Sequence, residues 1–417
     1  MTTPTLHASR RTKETAIGEL PVEWSIRNLG QLATISAGGT PDRNQPEYWG
    51  GHIPWITTSK IDYSVIDRAD EYITEEGLRH STAKIFPTGT LLMAMYGQGG
   101  TRGRVGILGI DAAINQACCS IRPGPEIDEQ FLFHFLAHNY ERIRRLGHGG
   151  NQANLSGALI RQINVPVPAL PEQRRIAAVL GTWDRALDRL ESLLTAKRLF
   201  KRGLMQQVLT GKKRFKAFAG EEWKTYRLSD LLERVFRPVT LSDDAALDLI
   251  SIRRRAGGLF FRGSFTAREF KTLDLNHIET GDFLVSKRQV THGALAMVRQ
   301  PFDGMHVSNE YVIFRCKAPE KLHMPFFDWL ARSPRMWHIA YLASNGVHVE
   351  KLIFDADDFL REKIALPPSL AEQREIVDLL EGSDNEIRLL KQELTALKDQ
   401  KRGMMQKLLT GKVRVRA

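Results

Sequence analysis

The residues of this chain that could do chemistry are cations and amides placed in glycine-rich or turn-rich stretches. Residues 97–104 combine four glycines with Arg102 and Arg104. Glycines free backbone N–H groups and the arginines add charge, so this stretch could hold phosphates. It is not a P-loop, because no Gly-Lys-Ser/Thr sequence opens a helix after it. A tight turn without a ligand is the alternative.

Amides dominate a second stretch, residues 147–156. Asn151, Gln152 and Asn154 could each form two hydrogen bonds to an adenine edge, but the same residue types are equally suited to turns. The run Arg253-Arg254-Arg255 is likewise either a solvated face or a phosphate contact. Both alternatives stay open for both stretches.

The second half of the chain repeats this arrangement with different residues. Lys287-Arg288-Gln289 stands where the first half has its glycine-rich loop, and residues 344–348 stand where it has its amides. We therefore predict nucleic-acid contacts from both halves. The predicted contact residues are Thr58, Lys60, Gln98, Thr101, Arg102, Arg104, Asn151, Gln152, Asn154, Arg253, Arg254, Arg255, Lys287, Arg288, Gln289, His292, Asn345 and His348.

Signals for catalysis or a metal are missing from the sequence. His134 and His138 have the i, i+4 spacing of metal ligands, but no third ligand accompanies them, which favours core or surface histidines. Three cysteines give neither a disulfide framework nor zinc-binding spacing. The dinucleotide-binding, methyltransferase, Walker A and nucleophile-elbow motifs are also absent. The sequence predicts a non-catalytic chain with no metal site.

Composition points to a polyanionic partner. The 417 residues exceed one hydrophobic core and suit two to three domains, and the net charge is +11. A basic balance of this size suggests nucleic acid, although many basic proteins have no such partner. The polar N-terminus predicts no signal peptide, and no window is apolar enough for a membrane span. We expect a cytoplasmic protein without a membrane partner.

These residues must be positioned by a large internal repeat. The stretch from Glu172-Gln173-Arg174 to residue 212 returns 200 positions later, from Glu372, without a gap and with nearly half of its positions identical. Apolar residues in both copies alternate steps of three and four, which predicts two long helices that pack along each other. Lys201 and Lys401 fall on the apolar seam. They either extend to solvent from a helix end or face a partner.

Trp24 and Trp223 open the two copies, so a globular segment followed by a helix occurs twice. We predict a flexible arm over residues 1–19, a first globular domain over 20–165 and a helical region over 166–214. A second globular domain over 215–364 and a second helical region over 365–417 follow. Because the helical regions are similar and the globular regions differ, we expect one scaffold that carries two modules with different targets.

The chain resembles the DNA specificity (S) subunits of type I restriction–modification systems. The resemblance covers nearly the whole chain. Its most specific parts are Gly38-Gly39-Thr40-Pro41, Tyr48-Trp49-Gly50-Gly51, Ile53-Pro54-Trp55-Ile56, Asn115-Gln116-Ala117-Cys118 and the two Pro-x-x-x-x-Glu-Gln-Arg junctions at Pro168 and Pro368. It implies an α+β fold in which two globular target recognition domains are joined by two long antiparallel, coiled-coil-like helices with pseudo-twofold internal symmetry.

The resemblance also implies function. Each recognition domain would read one half of a split double-stranded DNA site, and the helices would set the spacing and dock two methyltransferase (M) subunits, with two restriction (R) subunits joining for cleavage. S-adenosylmethionine, ATP and Mg²⁺ would belong to those partners and none to this chain. We place the partner interface at Glu172, Gln173, Arg174, Glu372, Gln373, Arg374, Lys201 and Lys401.

Two other functions remain open from the sequence. One is an autonomous repressor of a bipartite operator, which would need no methyltransferase partner. The other is an enzyme with an unrecognised site. Co-purification with a methyltransferase would separate the repressor from the specificity subunit.

Overall fold

A computed structural model of the chain describes residues 5–8, 11–97, 100–147, 154–239, 246–266, 268, 274–346 and 352–416. The chain divides into two compact units. Unit 1 comprises Met1–Ser192 and Gln392–Ala417, and unit 2 comprises Leu193–Lys391. Within the described ranges, no helix is both long and apolar enough to cross a membrane.

The secondary structure mixes short strands with helices throughout. In chain order up to the first long helix, the elements are β1 (Thr5–Ala8), β2 (Thr12–Lys13), β3 (Leu20–Pro21), β4 (Ser25–Asn28), α1 (Leu29–Leu32), β5 (Ala33–Ala37), β6 (Trp49–Ile56), β7 (Val65–Ile66), β8 (Glu71–Ile73), α2 (Glu75–Arg79), β9 (Ile85–Phe86), β10 (Leu91–Ala94), β11 (Val105–Leu108), β12 (Ala112–Ile114), β13 (Cys118–Pro123), α3 (Glu129–His138), α4 (Tyr140–Arg145), α5 (Gly157–Arg161), β14 (Asn164–Val167) and α6 (Leu170–Val208).

The remaining elements are β15 (Lys224–Arg227), α7 (Leu228–Leu231), β16 (Leu232–Val235), β17 (Ala246–Ile252), β18 (Leu259–Thr266), β19 (Leu275–His277), β20 (Phe283–Ser286), β21 (Leu295–Met297), β22 (His306–Ser308), β23 (Tyr311–Cys316), α8 (Met324–Ala331), α9 (Pro334–Leu342), β24 (Ser344–Asn345), β25 (Ile353–Phe354), α10 (Ala356–Arg361), β26 (Lys363–Leu366), α11 (Leu370–Leu408) and β27 (Val413–Arg416).

Two sheets build the core of unit 1. The first has the order β5-β13-β10-β11-β7 and the second the order β8-β6-β12-β9. Strand β10 is buried at every position, because both of its faces are covered. Leu91 and Met93 pack in the cluster that includes the buried face of α3, whereas Leu92 and Ala94 pack against the second sheet. Alternate side chains of β10 thus point to opposite faces of the sheet and pack in two different layers.

Unit 2 has the same arrangement. Its sheets have the orders β16-β23-β20-β21 and β18-β17-β22-β19. Phe283 and Val285 of β20 pack in the cluster that contains α8, and Leu284 between them packs against the second sheet. The second sheet of each unit contains one parallel pair, β6 with β12 in unit 1 and β17 with β22 in unit 2. Apart from strand β7, which has no counterpart in the first sheet of unit 2, the sheet plan of unit 1 therefore recurs in unit 2.

Helices α6 and α11 are 39 residues long, and both have residues in each unit. In unit 1, Ile176, Leu180 and Leu187 of the seam are buried, as are Ile376 and Leu380 in unit 2. Ion pairs join the helices within each unit, and higher numbers on one helix meet lower numbers on the other, so the paired segments are antiparallel. The pairs are Asp184–Lys401 and Glu191–Lys398 in unit 1, and Lys197–Glu386 and Lys201–Asp384 in unit 2.

Candidate nucleic-acid interface

Two separate stretches of predicted contact residues meet in unit 2. The loop between β17 and β18 carries Arg253, Arg254 and Arg255, and it lies against the short turn that follows β20. Arg254 Nε donates to Gln289 Oε1 at 2.7 Å, and the Arg255 backbone N–H donates to the His292 carbonyl at 2.7 Å. The three arginines, Gln289 and His292 therefore form one polar, cationic surface, which we call the unit 2 loop cluster.

The backbone of this loop is held in a strained conformation. Arg255 and Ala256 have φ of 58° and 52°, and Tyr63 in unit 1 has φ of 56°. Within the described ranges these are the only non-glycine residues with positive φ. Each costs about 1–2 kcal/mol for an L-residue. The Tyr63 N–H is fixed by the Val105 carbonyl at 2.8 Å and the Ala256 N–H by that of Gly293 at 2.8 Å. Neighbouring backbone thus holds both loops in place.

Arg288 extends the cationic surface but is already paired. Its Nε donates to Glu310 Oε2 at 2.7 Å, with 67% of the Arg288 side chain exposed. This hydrogen bond raises the pKa of Arg288, so the guanidinium stays charged. The backbone N–H of the adjacent Lys287 donates to the Glu310 carbonyl at 2.9 Å. A phosphate would have to displace the Glu310 carboxylate before it could contact Arg288 in a bidentate manner.

In unit 1, the loop between β10 and β11 corresponds to the turn that follows β20, and its Arg104 is bonded to other protein groups. Arg104 Nη1 donates to Asp62 Oδ1 at 2.7 Å, and Arg104 Nε donates to the Gly100 carbonyl at 2.8 Å. The same carbonyl accepts from the Tyr140 hydroxyl at 2.7 Å, and the Thr101 carbonyl accepts from the Arg104 N–H at 3.0 Å. These bonds fold the loop around Arg104 and neutralise much of its charge.

Two further predicted cations of unit 1 also have protein partners. Arg102 Nη2 donates to the Arg144 carbonyl near the end of α4 at 3.4 Å. Lys60, whose side chain is 23% exposed, pairs with Asp70 at 2.5 Å. Thr58 begins the single helical turn that carries Lys60. In unit 1, Lys60 and Arg104 are therefore paired with carboxylates, whereas Arg102 contacts only a carbonyl.

The amide positions are only partly described. Asn154 is half-buried, and Asn345 Nδ2 donates to Asp358 Oδ2 at 3.3 Å. The predictions at Gln98, Asn151, Gln152 and His348 lie outside the described residues. Whether any of the predicted residues contacts DNA stays a prediction.

The residues predicted for a partner interface have internal partners in unit 1. Gln173 is fully buried, and its Oε1 accepts from the Asp128 N–H at 2.7 Å. Its Nε2 donates to the carbonyls of Glu126 at 3.0 Å and Pro168 at 2.8 Å. One amide thus pairs with three backbone groups, in one buried and two partly buried hydrogen bonds, and ties the start of α6 to the start of α3.

Gln373 makes the same three bonds in unit 2. Its Oε1 accepts from the His323 N–H at 2.8 Å, and its Nε2 donates to the carbonyls of Lys321 at 2.7 Å and Pro367 at 3.0 Å. The side chain is again fully buried. We call Gln173 and Gln373 the glutamine clamps.

The glutamates of the motif form buried ion pairs with arginines that the sequence analysis did not select. Glu372 is fully buried and accepts from Arg214 Nε at 2.8 Å and Nη2 at 2.6 Å. Glu172 accepts from Arg414 at 2.6 and 2.7 Å, and also from Trp24 Nε1 at 3.2 Å. The repeated Thr-Gly-Lys-x-Arg after each long helix was the available signal for Arg214 and Arg414.

Burial changes the interpretation of the interface prediction. Glu172, Gln173, Glu372 and Gln373 have their polar atoms engaged inside their own units, and Lys201 and Lys401 pair with acidic residues of the opposite helix. Only Arg174 and Arg374 are largely exposed. The repeat of this motif is explained by folding, and its contact with another subunit stays a prediction.

Buried titratable groups show no activated nucleophile. Burial raises the pKa of the Cys119 thiol to about 12 and lowers the pKa of His134 to about 4. A neutral thiol is a weak nucleophile, and a neutral buried imidazole carries no charge for substrate binding. In the described part of the chain, no three His, Cys, Asp or Glu residues come together in a way that could hold a metal ion.

Known proteins resemble this chain in sequence and fold. The family model described as the type I restriction modification DNA specificity domain matches residues 21–197 and 220–399. The MjaIX specificity subunit of Methanocaldococcus jannaschii is 29% identical over 42% of this chain and 41% of the relative. The EcoR124I/EcoR124II specificity subunit of Escherichia coli is 28% identical over 39% and 41%. These two alignments therefore cover about two fifths of each relative.

Longer matches have lower identity. The putative MjaX specificity subunit of M. jannaschii is 23% identical over 97% of both chains. The S subunit of a type I restriction-modification system from M. genitalium has a TM-score of 0.56 at 16% identity, over 92% of this chain and 96% of that one. This likeness shows a shared fold. The matched family domains span most of the chain, which belongs to the type I restriction modification DNA specificity family.

Proposed function

We propose that this chain reads a split duplex DNA site, with one half-site for the recognition domain in each unit. The carrying observation is that the family domain occurs twice and that each unit places a fixed, cation-bearing loop at an equivalent position of its sheet plan. Strain fixed by surrounding hydrogen bonds suits recognition, because a pre-positioned loop loses little entropy on binding. The loops differ in residues, which supports different half-site sequences.

The chain would act without catalysis of its own. In this proposal two methyltransferase subunits and two restriction subunits supply the chemistry, and S-adenosylmethionine, ATP and Mg²⁺ bind to them. The buried Cys119 and His134 and the absent cofactor motifs support this division. Methyl transfer by the isolated chain, in a preparation free of methyltransferase subunit, would contradict it.

The half-site assignment is testable with one arginine and a matched control. Arg254→Ala removes a cation of the unit 2 loop cluster, and we expect a loss of about 1–3 kcal/mol in binding free energy if it reads a base. Lys321→Ala removes an exposed cation that lies five residues after the end of β23 and pairs with Glu320, and it should leave binding unchanged.

The measurement is methylation of a library of split sites by each variant with its partner subunits. Relaxed sequence preference should appear in one half-site only for Arg254→Ala. Equal loss in both half-sites, or the same loss from Lys321→Ala, would contradict independent reading by the two units.

We further propose that α6 and α11 form a pseudo-twofold antiparallel pair that sets the gap between half-sites. Four residues inserted after Ser192 and four after Lys391 add about 6 Å to each helix and nearly preserve the apolar face. Because DNA advances about 3.4 Å per base pair, the preferred gap should grow by one to two base pairs. Two-residue insertions, which rotate the seam by about 200°, are the control and should abolish methylation. An unchanged gap in the four-residue variant would refute the proposal.

A further inference from the structure

Unit 2 has an open groove at a place that a chain segment covers in unit 1. The groove has a volume of about 560 Å³ and lies between the end of α6, Trp223 and the helices α8 and α9. Its apolar floor consists of Met205, Leu209, Trp223, Leu330, Met336 and Ile339. We call it the α6–α9 groove.

In unit 1 the segment before Trp24 covers the matching elements. Leu20 is 2% exposed and belongs to the same core cluster as Leu409 of unit 1, and Ile17 packs against that cluster. The Ala16 carbonyl accepts from Arg142 Nη2 of α4 at 3.2 Å. We call residues 11–21 the arm of unit 1; this segment overlaps the predicted arm of residues 1–19 but is defined by its packing.

Unit 2 has no apolar side chain large enough to replace Ile17 and Leu20, because Lys216 and Ala219 stand at those distances before Trp223. Phe215 packs against the core cluster of unit 2 but does not line the groove. Ala219, four residues before Trp223, stands where Leu20 stands four before Trp24, and Ala219 is exposed. The arm packs tightly against the end of α11, because a Cβ on Gly411 would lie 2.4 Å from Pro21 Cγ. In unit 2, Gly220 stands three residues before Trp223, as Pro21 does before Trp24, and a Cβ on Gly220 would meet nothing within 4 Å.

The tryptophan beside the groove also differs. Trp24 is fully buried and donates its Nε1–H to Glu172. Trp223 is half-buried, and its Nε1, although inaccessible to solvent, has no hydrogen-bond partner in the described structure. Trp223 therefore lacks the acceptor that Glu172 provides for Trp24 in unit 1.

The rim of the groove is cationic. Arg202, Lys212 and Arg335 are exposed and line it, and within the described ranges none of them forms an ion pair. Arg332 also lines it but is paired with Asp328 at 2.6 Å. A positive rim around an apolar floor complements a peptide that carries both carboxylates and branched apolar side chains.

We propose that the α6–α9 groove binds an extended, acidic segment of a partner protein that inserts apolar side chains, in the manner of the arm in unit 1. The apolar floor favours a peptide over duplex DNA, because a paired duplex keeps its bases stacked and presents mainly phosphates and sugars. This proposal does not depend on the proposed reading of DNA, which we assign to the unit 2 loop cluster and not to the groove.

The probe is a fluorescein-labelled peptide with the sequence of residues 12–21, which contains Glu14, Ile17, Glu19 and Leu20. Fluorescence anisotropy with the full chain should show saturable binding. A control peptide with serine in place of Ile17 and Leu20 should bind at least tenfold more weakly. Absence of saturable binding, or equal binding of the two peptides, would overturn the proposal.

A matched pair of protein variants locates the site. Arg202→Glu with Lys212→Glu should weaken peptide binding at least tenfold, and Arg402→Glu with Lys412→Glu, at the same positions of the other repeat, should leave it within twofold. Duplex DNA binding of both variants is measured in parallel and should match the unmodified chain. Equal effects of the two variants, or displacement of the peptide by duplex DNA, would refute a peptide site in this groove.

Discussion

The two units use a similar scaffold and differ in the loops that we propose as DNA contacts. Both have the same sheet plan, a glutamine clamp and a buried Glu–Arg pair. The unit 2 loop cluster presents arginines on a hairpin, whereas the unit 1 loop folds around Arg104 and pairs it with Asp62. The comparison indicates that the internal bonds recur with the fold, whereas the exposed loops differ in their residues and in the partners of their cations.

The strongest way to break this comparison is to remove the buried glutamates. Glu372→Ala leaves Arg214 charged and without its partner in a site where its side chain is 13% exposed, so unfolding free energy should fall by about 3–5 kcal/mol. Glu172→Ala should cost as much and also release the Trp24 N–H. Urea unfolding of each variant measures this. The double variant Glu372→Ala with Arg214→Ala should recover part of the loss, and no recovery would contradict the ion-pair explanation.

The glutamine clamps should be equivalent in the two units. Gln173→Ala and Gln373→Ala each leave one buried and two partly buried backbone groups without their partner, which should cost on the order of 3 kcal/mol. Gln207→Ala, at an exposed position of α6, is the control and should change stability by less than about 0.5 kcal/mol. Urea unfolding again provides the measurement. A small loss in only one unit would show that the clamps are not equivalent.

His134 should make one unit sensitive to acid. It faces Asp184 Oδ2 at 3.7 Å, and Lys401 and Asp128 also act on it, but burial dominates and lowers its pKa to about 4. The unfolded imidazole has a pKa of about 6.5. The unfolded state therefore binds the proton first as pH falls from 6.5 towards 4, and stability is lost in that window. From pH 7 to pH 5 the loss should be about 2 kcal/mol.

The test compares unfolding at pH 7 and pH 5 for the unmodified chain and for His134→Phe. The variant should lose about 2 kcal/mol less across this interval. Trp329 occupies the equivalent place on α8 and does not titrate, so Trp329→Phe is the matched control and should keep the original pH dependence. The same slope for all three chains would contradict a role for His134.

The smallest difference should come from the interhelical lysines. Lys401 pairs with Asp184 and Lys201 pairs with Asp384, but Lys201 Nζ also lies 4.7 Å from the Trp329 ring centroid. Lys401→Ala should cost less than about 1 kcal/mol, and Lys201→Ala about 0.5–1 kcal/mol more, because a cation–π contact is lost as well. Thermal unfolding in low and high salt measures both, and equal losses would mean that the ring contributes nothing.

Sequence patterns predicted the long helices better than they predicted the ion-pair partners of the charged side chains. The three- and four-residue apolar period indicated both long helices, and the structure starts them at Leu170 and Leu370 beside the repeated Glu-Gln-Arg motif. The unit 2 loop cluster brings together two stretches, residues 253–255 and 287–292, that the sequence had already indicated as nucleic-acid contacts. The partners of the cations could not be read, because Asp62 and Glu310 come from distant positions and a repeated motif does not reveal whether its side chains point inward.

The division of unit 1 into two chain segments has a consequence for synthesis. Unit 2 is continuous, whereas the core of unit 1 includes Met405, Leu408, Leu409 and Val415, which follow unit 2 in the chain. Strand β27 also pairs with β1 at the other end of the chain. The half that leaves the ribosome first thus completes its core only after unit 2 has been made, and its apolar surface stays open to chaperones until residues 405–415 are synthesised.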